Sequence, residues 1–244
     1  MTMAEFDRPT IAAARAGTAA AIDQGLRSYM LRVYNYMGLG LVVTGFVAYF
    51  FNQWASASEA NFALVYGSPL MWVIALAPLG FVMVLSFGIQ KLSVTAAQGL
   101  FWAFAAVMGL SLSSIFSAYT DASIAKVFFI SAATFGSMSL YGYTTKRDLT
   151  GMGNFLVMGL FGIIIASIVN IFLASSALEF AISILGVLIF TGLTAYDTQK
   201  IKESYSASFG ADVLAKGAIM GALNLYLDFI NLFMMMLRLF GNRE

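Results

Sequence analysis

Neither cysteine nor histidine occurs among the 244 residues. Their absence excludes disulfides, Cys/His zinc and haem sites, and Ser-His-Asp or Cys-His catalysis. It also removes the side chain that ordinarily titrates near neutral pH, so any pH response falls to perturbed acids or lysines. Charge is scarce as well. Asp, Glu, Lys and Arg make up 10% of the chain, against about a quarter in soluble proteins. Proline is confined to Pro9, Pro69 and Pro78. What fills the chain instead is hydrophobic: 60% of residues, with a mean hydropathy of +0.85. This is the composition of an integral membrane protein. Several apolar runs exceed the length of a soluble core helix, which implies spanning helices and not a barrel with its weak alternating signal. The net charge of +1 is spread too thinly for a nucleic-acid footprint, so no nucleic-acid partner is expected.

Seven transmembrane helices are predicted, over about residues 30–51, 70–88, 96–118, 125–143, 155–174, 178 to at least 197, and 217–240. No stretch fit to be a domain linker interrupts them. The expected organisation is an N-terminal tail over 1–29 and one all-α, polytopic domain over 30–244. The tail lacks the apolar core of a signal peptide and reads as cytoplasmic. With that end inside, Arg8, Arg15, Arg27, Arg32, Lys91, Lys146, Arg147, Lys200, Lys202 and Lys216 lie on the inner side. Lys126, Arg238 and Arg243 lie outside, so the positive-inside bias supports the orientation.

The last apolar segment draws attention because Asp228 sits near its middle. An acid at that depth costs at least ~2.5 kcal/mol on insertion scales and is expected to face helices or water, not lipid. Gly217, Gly221, Asn224, Asp228, Asn231, Met235 and Arg238 recur at spacings of four and three. They share one helix face, a polar stripe turned into a bundle. The second acid of interest is Asp197 in the sixth span, followed by Lys200 and Lys202. The two acids reach a common depth if the sixth helix continues past Asp197 to near Ser206. Two carboxylates in contact in a dry pocket share a proton and titrate as a unit, which makes a pH switch without histidine. Oxygen ligands without sulfur or imidazole suit Ca2+ better than transition metals. Two carboxylates alone form a weak, incomplete metal site, as a permeating ion requires.

Plainer roles compete with these. Asp228 also fits a buried acid that fixes helix packing, and Asp197 an interfacial acid paired with Lys200 or Lys202. Asn224 and Asn231 fit interhelical hydrogen bonding. Arg238 fits a snorkelling cation at a helix C-terminus. An intramembrane aspartyl protease is disfavoured, because bulky Leu225, Tyr226 and Leu227 precede Asp228 where such enzymes have Gly-x-Gly. The expectation is a protein that is not an enzyme.

Thr191-Gly-Leu-Thr-Ala-Tyr-Asp-Thr-Gln-Lys-Ile-Lys202 and Leu223-Asn-Leu-Tyr-Leu-Asp-Phe-Ile-Asn-Leu-Phe233 resemble the paired signatures of the Bax inhibitor-1 family. Gly109-Leu-Ser-Leu-Ser-Ser-Ile-Phe116 and Ser139-Leu-Tyr-Gly-Tyr-Thr-Thr-Lys-Arg-Asp148 resemble its bacterial branch. The resemblance covers the chain from about Arg27 onward. It implies a seven-helix fold with the last helix central, wrapped by six others in two layers. It implies a pH-sensitive Ca2+ leak across a bacterial inner membrane, with Asp197 and Asp228 as the paired aspartates. Ca2+ then enters as the permeating ion, and no tightly bound cofactor is implied. Some members latch the pair with an arginine at the inner end of the second span. Lys91 is the nearest match here, and lysine lacks the bidentate fork of arginine. Bacterial relatives also resemble regulators of a membrane-bound AAA protease, the alternative in which the chain binds a partner and carries no flux.

Overall fold

The computed structural model describes the backbone of residues 7–243 and side chains from residue 22 onward. The tail expected over 1–29 lies partly outside those residues, as do the side chains of Arg8 and Arg15. What is described is helical: α1 (Asp7–Ser56), α2 (Glu59–Tyr66), α3 (Leu70–Gly88), α4 (Val94–Leu112), α5 (Ile115–Ala118), α6 (Asp121–Thr144), α7 (Thr150–Leu173), α8 (Ser176–Glu203) and α9 (Ala211–Phe240). Among the described residues, seven helical segments are long and apolar enough to cross a membrane, with α4 and α5 forming one of them. The seven predicted spans are therefore present. Helix α1 extends back from the first span to Asp7 without a break. Between the first two spans lies a short added helix, α2.

Local chemistry sets where the helices begin. Ser58, Ser93, Thr120 and Ser175 each accept a hydrogen bond from a backbone N–H three residues on. These are side-chain caps at positions where the first N–H groups have no partner within the helix. Helix α7 ends at Ala174, whose φ of 47° lies in the left-handed region. Asn170 Oδ1 accepts the N–H of Ser175 there at 3.0 Å, which closes the turn into α8.

Helix α9 packs against α8, α1, α6 and α4. More of it is buried than of any other span, whereas α7 is the least buried. Its apolar residues are the most enclosed: Leu225, Tyr226, Leu232 and Leu237 have no exposed surface. Helix α9 is thus covered on most of its surface by its four neighbours. Tyr226 anchors it. The Tyr226 hydroxyl lies 2.6 Å from Thr44 Oγ1, and Thr44 donates to Ala105 O at 2.8 Å, so α9, α1 and α4 meet at one point. The rings of Phe101 and Phe104 meet Tyr226 edge-on around it. On the other side α7 packs on α8.

Small residues permit the close helix approaches, as packing in lipid favours. A Cβ at Gly142 of α6 would run into the backbone of Ala195 in α8, and one at Gly109 of α4 into the backbone of Thr44 in α1. The Gly217 and Gly221 pair serves two partners. Gly217 faces the hydroxyl of Tyr29 in α1, and Gly221 faces Ile201 in α8.

Candidate functional site

The antiparallel register of α8 and α9 builds the site. Ile201 lies against Gly221, and Gly186 against Met235. Between these two contacts the same register sets Asp197 opposite Asp228. Both carboxyl groups line the same cavity and lie near enough to influence one another. Asp228 is buried, and its Oδ2 has no hydrogen-bond partner within the chain. Asp197 is half-buried. A buried carboxylate oxygen without a donor is costly, and like charges in contact add to that cost. The arrangement is relieved by a shared proton or by a cation.

The condition set by depth is met in an unexpected way. Helix α8 ends at Glu203, six residues after Asp197, while α9 begins at Ala211, seventeen residues before Asp228. The start of α9 therefore overruns the end of α8 by two to three turns. This overhang packs on α1 through Gly217 and Tyr29, and Lys216 Nζ reaches Gln90 O at 3.4 Å.

The end of α8 is held by its own polar residues. Gln199 Nε2 donates to Arg147 O at 2.8 Å, and Gln199 Oε1 accepts from Leu149 N at 2.8 Å. Lys202 Nζ donates to Tyr143 O at 2.8 Å. Thr198 Oγ1 lies 2.9 Å from Ser139 Oγ. The residues that follow Asp197 are thus tied to α6 and the α6–α7 turn, which fixes this end of α8. Sequence reasoning passed over Gln199 and Thr198. Their signal was their place beside Asp197 in the helix-ending motif.

A cavity of about 710 Å3 opens beside the pair, walled by α7, α8 and α9. From α9 it takes Asn224, Asp228, Asn231 and Met235, and from α8 Tyr196, Asp197 and Lys200. The middle of the polar stripe read from the sequence, from Asn224 to Met235, is therefore a cavity wall. The two acids share this cavity with Asn224 and Asn231, but the expected interhelical bonding of the asparagines is not what Asn231 does: its Nδ2 donates to Leu227 O of its own helix. Helix α7 supplies a wall the sequence did not reveal, with Asn154 and Ser167 among apolar Val157, Leu160, Ile164 and Ile168. A second cavity of about 360 Å3 shares Ser167 and Ile171 with the first. It continues past Asn170, Glu179 and Arg238. Arg238 lies at this far cavity and not with the acid pair.

Lys91 is exposed in the turn after α3, and α3 packs on α2 and α4. It does not line the acids' cavity. The cation beside Asp197 is Lys200, whose ammonium sits 5.7 Å from the centroid of the Tyr196 ring. Among the described residues, no group of three or more acidic side chains gathers to hold a metal. Asp197 and Asp228 offer two carboxylates to a cation, which is a weak ligand set.

The family described as Inhibitor of apoptosis-promoting Bax1 matches residues 26–244. The inner membrane protein YbhL of Escherichia coli strain K12 is 51% identical over 223 residues, covering 90% of this chain and 94% of that protein. The uncharacterized protein RP147 of Rickettsia prowazekii is 48% identical over 222 residues, covering 91% and 92%. A protein of Caulobacter vibrioides is 46% identical over 231 residues, covering 92% of each chain. The match takes in both aspartate-centred helices, all seven spans and the turns that join them, and this integral membrane protein belongs to the Bax inhibitor-1 family.

Proposed function

We propose that the chain is a pH-sensitive leak for Ca2+ or similar cations across a bacterial inner membrane, with its N-terminus on the cytoplasmic side. Asp197 and Asp228 form the switch. The observation that carries the proposal is the placing of two carboxyls on the wall of one cavity between α7, α8 and α9, one of them with a buried oxygen that nothing among the described residues satisfies. Protons and cations compete for that pair. With a proton shared, the two acids hold α8 and α9 together. Without it, two like charges in low dielectric repel unless a cation lies between them. The neighbouring cavity past Ser167 and Ile171 offers a polar continuation toward the other face. Lys200, exposed on the same cavity wall, is a cation that opposes entry of a second positive charge. Weak ligation suits conduction, because an ion must leave as readily as it enters. The protein acts without chemistry on a substrate, and Ca2+ is cargo and not a resident metal. The inner-membrane placement accords with the printed name of the Escherichia coli relative.

Reconstitution in dye-loaded liposomes tests the proposal. Wild-type protein gives Ca2+ flux that varies with pH. Asp228→Asn is expected to change flux by about tenfold, the ratio that ~1.4 kcal/mol of altered cation affinity produces, and to flatten its pH dependence. Unchanged flux and unchanged pH dependence in Asp228→Asn defeat the leak. The alternative, a regulator that binds a membrane AAA protease without flux, then stands: it requires partner regulation to survive loss of both acids and to fail on removal of residues 1–26.

A further inference from the structure

A second groove lies on the opposite side of the bundle, and it belongs to no part of the ion pathway. Helices α1 and α6 both pack on α9. They run antiparallel and leave a groove of about 540 Å3 between them. Tyr34 OH and Ser139 Oγ bridge its floor at 2.6 Å. Its walls are otherwise apolar, built from Met30, Leu31, Met37, Phe135 and Leu140. Leu31 and Leu140 on its rim are exposed, so the groove opens outward on the surface that faces hydrocarbon.

Two glycines hollow it out. Gly38 lines one wall and Gly136 the other. A Cβ at either position would meet no atom of the chain within 4 Å. Glycine inside a helix costs about 1 kcal/mol relative to alanine. At these two positions that cost is not offset by a close helix contact, in contrast to Gly109 and Gly142. The pair leaves the two walls of the groove without side chains at its middle.

One end of the groove is basic. Arg27 lines it beside Tyr143. Lys202 donates to Tyr143 O and lies 5.6 Å from the centroid of its ring. Lys146 and Arg147 follow Tyr143 in the turn and are exposed. The acids at this end are Asp23, Glu203 and Asp148, and the Asp148 carboxylate is already engaged by Thr150 N at 2.8 Å. The opposite end, at Gly38 and Phe135, has no charged lining residue. An apolar slot with cations at one end has the polarity of a phospholipid lying along the bilayer normal. Basic pockets between spanning helices recognise acidic headgroups in this way.

We infer that the α1–α6 groove binds one anionic phospholipid, with an acyl chain over Gly38 and Gly136 and its headgroup phosphate at Arg27. The lipid covers the Tyr34–Ser139 bridge, which continues through Thr198 to the helix that carries Asp197. Bound lipid therefore braces α8 from the side away from the cavity.

The test uses the full chain, delipidated in detergent and incubated with phosphatidylglycerol or phosphatidylcholine, with retained lipid counted by native mass spectrometry. Wild-type protein is expected to retain one phosphatidylglycerol, in about tenfold preference to phosphatidylcholine. Gly136→Leu fills the slot and Arg27→Gln removes the headgroup contact, and each is expected to abolish the preference while helical content stays unchanged. If Gly136→Leu does not fold, Gly38→Leu fills the slot from the other wall. Equal retention of the two lipids by wild-type protein overturns the inference. So does a phosphatidylglycerol preference that survives either change.

Discussion

Ile201 of α8 rests against Gly221 of α9, and this contact places Asp197 opposite Asp228. A Cβ at position 221 would lie 3.1 Å from Ile201 Cγ2, closer than ordinary packing allows. Gly221→Ala is therefore expected to push the helices apart by a few tenths of an ångström and to cost about 1–2 kcal/mol, the scale of a small overpacking. Thermal unfolding in detergent checks the cost, and liposome flux checks the site. Altered pH dependence at retained fold ties the register to the switch.

Glycines in the same fold are expected to separate into two classes. Gly142→Ala drives a methyl group into the backbone of Ala195, which has no rotamer with which to yield. It is expected to destabilise by about 1–3 kcal/mol. Gly99→Ala in α4 meets nothing within 4 Å. It is expected to be neutral or to stabilise by up to ~1 kcal/mol through helix propensity. Paired unfolding curves decide it, and equal losses at the two positions contradict the packing described for α6 and α8.

At the α7–α8 turn the strain is in the backbone. Ala174 adopts a φ of 47°, where a Cβ costs roughly 1–2 kcal/mol. Ala174→Gly is expected to raise stability by about 1 kcal/mol, read as a higher midpoint in the same unfolding assay. Asn170→Ala, which removes the acceptor for Ser175 N, is expected to lower it.

Asp148 supplies a pH dependence outside the membrane. Its bonds to the Thr150 hydroxyl and the Thr150 N–H hold its carboxyl below the usual carboxylate value. A folded value below the unfolded one means that the contribution to stability is present above the unfolded value. It is lost as pH falls through the folded value. The first turn of α7 is thus expected to fray only on strong acidification, seen as faster hydrogen exchange at the Thr150 amide. Asp148→Asn is expected to remove that acid dependence.

The sequence made the spans legible because each is a long apolar run with caps or cations at its ends. It also marked both acids, since a carboxylate in hydrocarbon is conspicuous wherever it falls. The common depth of Asp197 and Asp228 was harder to read. Hydropathy starts the last span at Gly217, whereas α9 starts at Ala211 and carries a polar overhang that counting from the apolar edge leaves out. The stripe on α9 was visible by its spacing, but the α7 wall facing it was not. Val157, Leu160, Ile164 and Ile168 look the same in sequence whether they face a cavity or lipid. Lys91 drew notice by its position at a span end, yet only the fold shows that α3 keeps it away from the pair and that Lys200 sits there instead.

The most direct measurement is proton release on cation binding. If Asp197 and Asp228 hold one proton between them and Ca2+ displaces it, adding Ca2+ to weakly buffered, purified protein acidifies the solution. The release is expected to disappear in both Asp197→Asn and Asp228→Asn. No release from the wild-type protein, or the same release from either variant, contradicts a shared-proton switch at this pair.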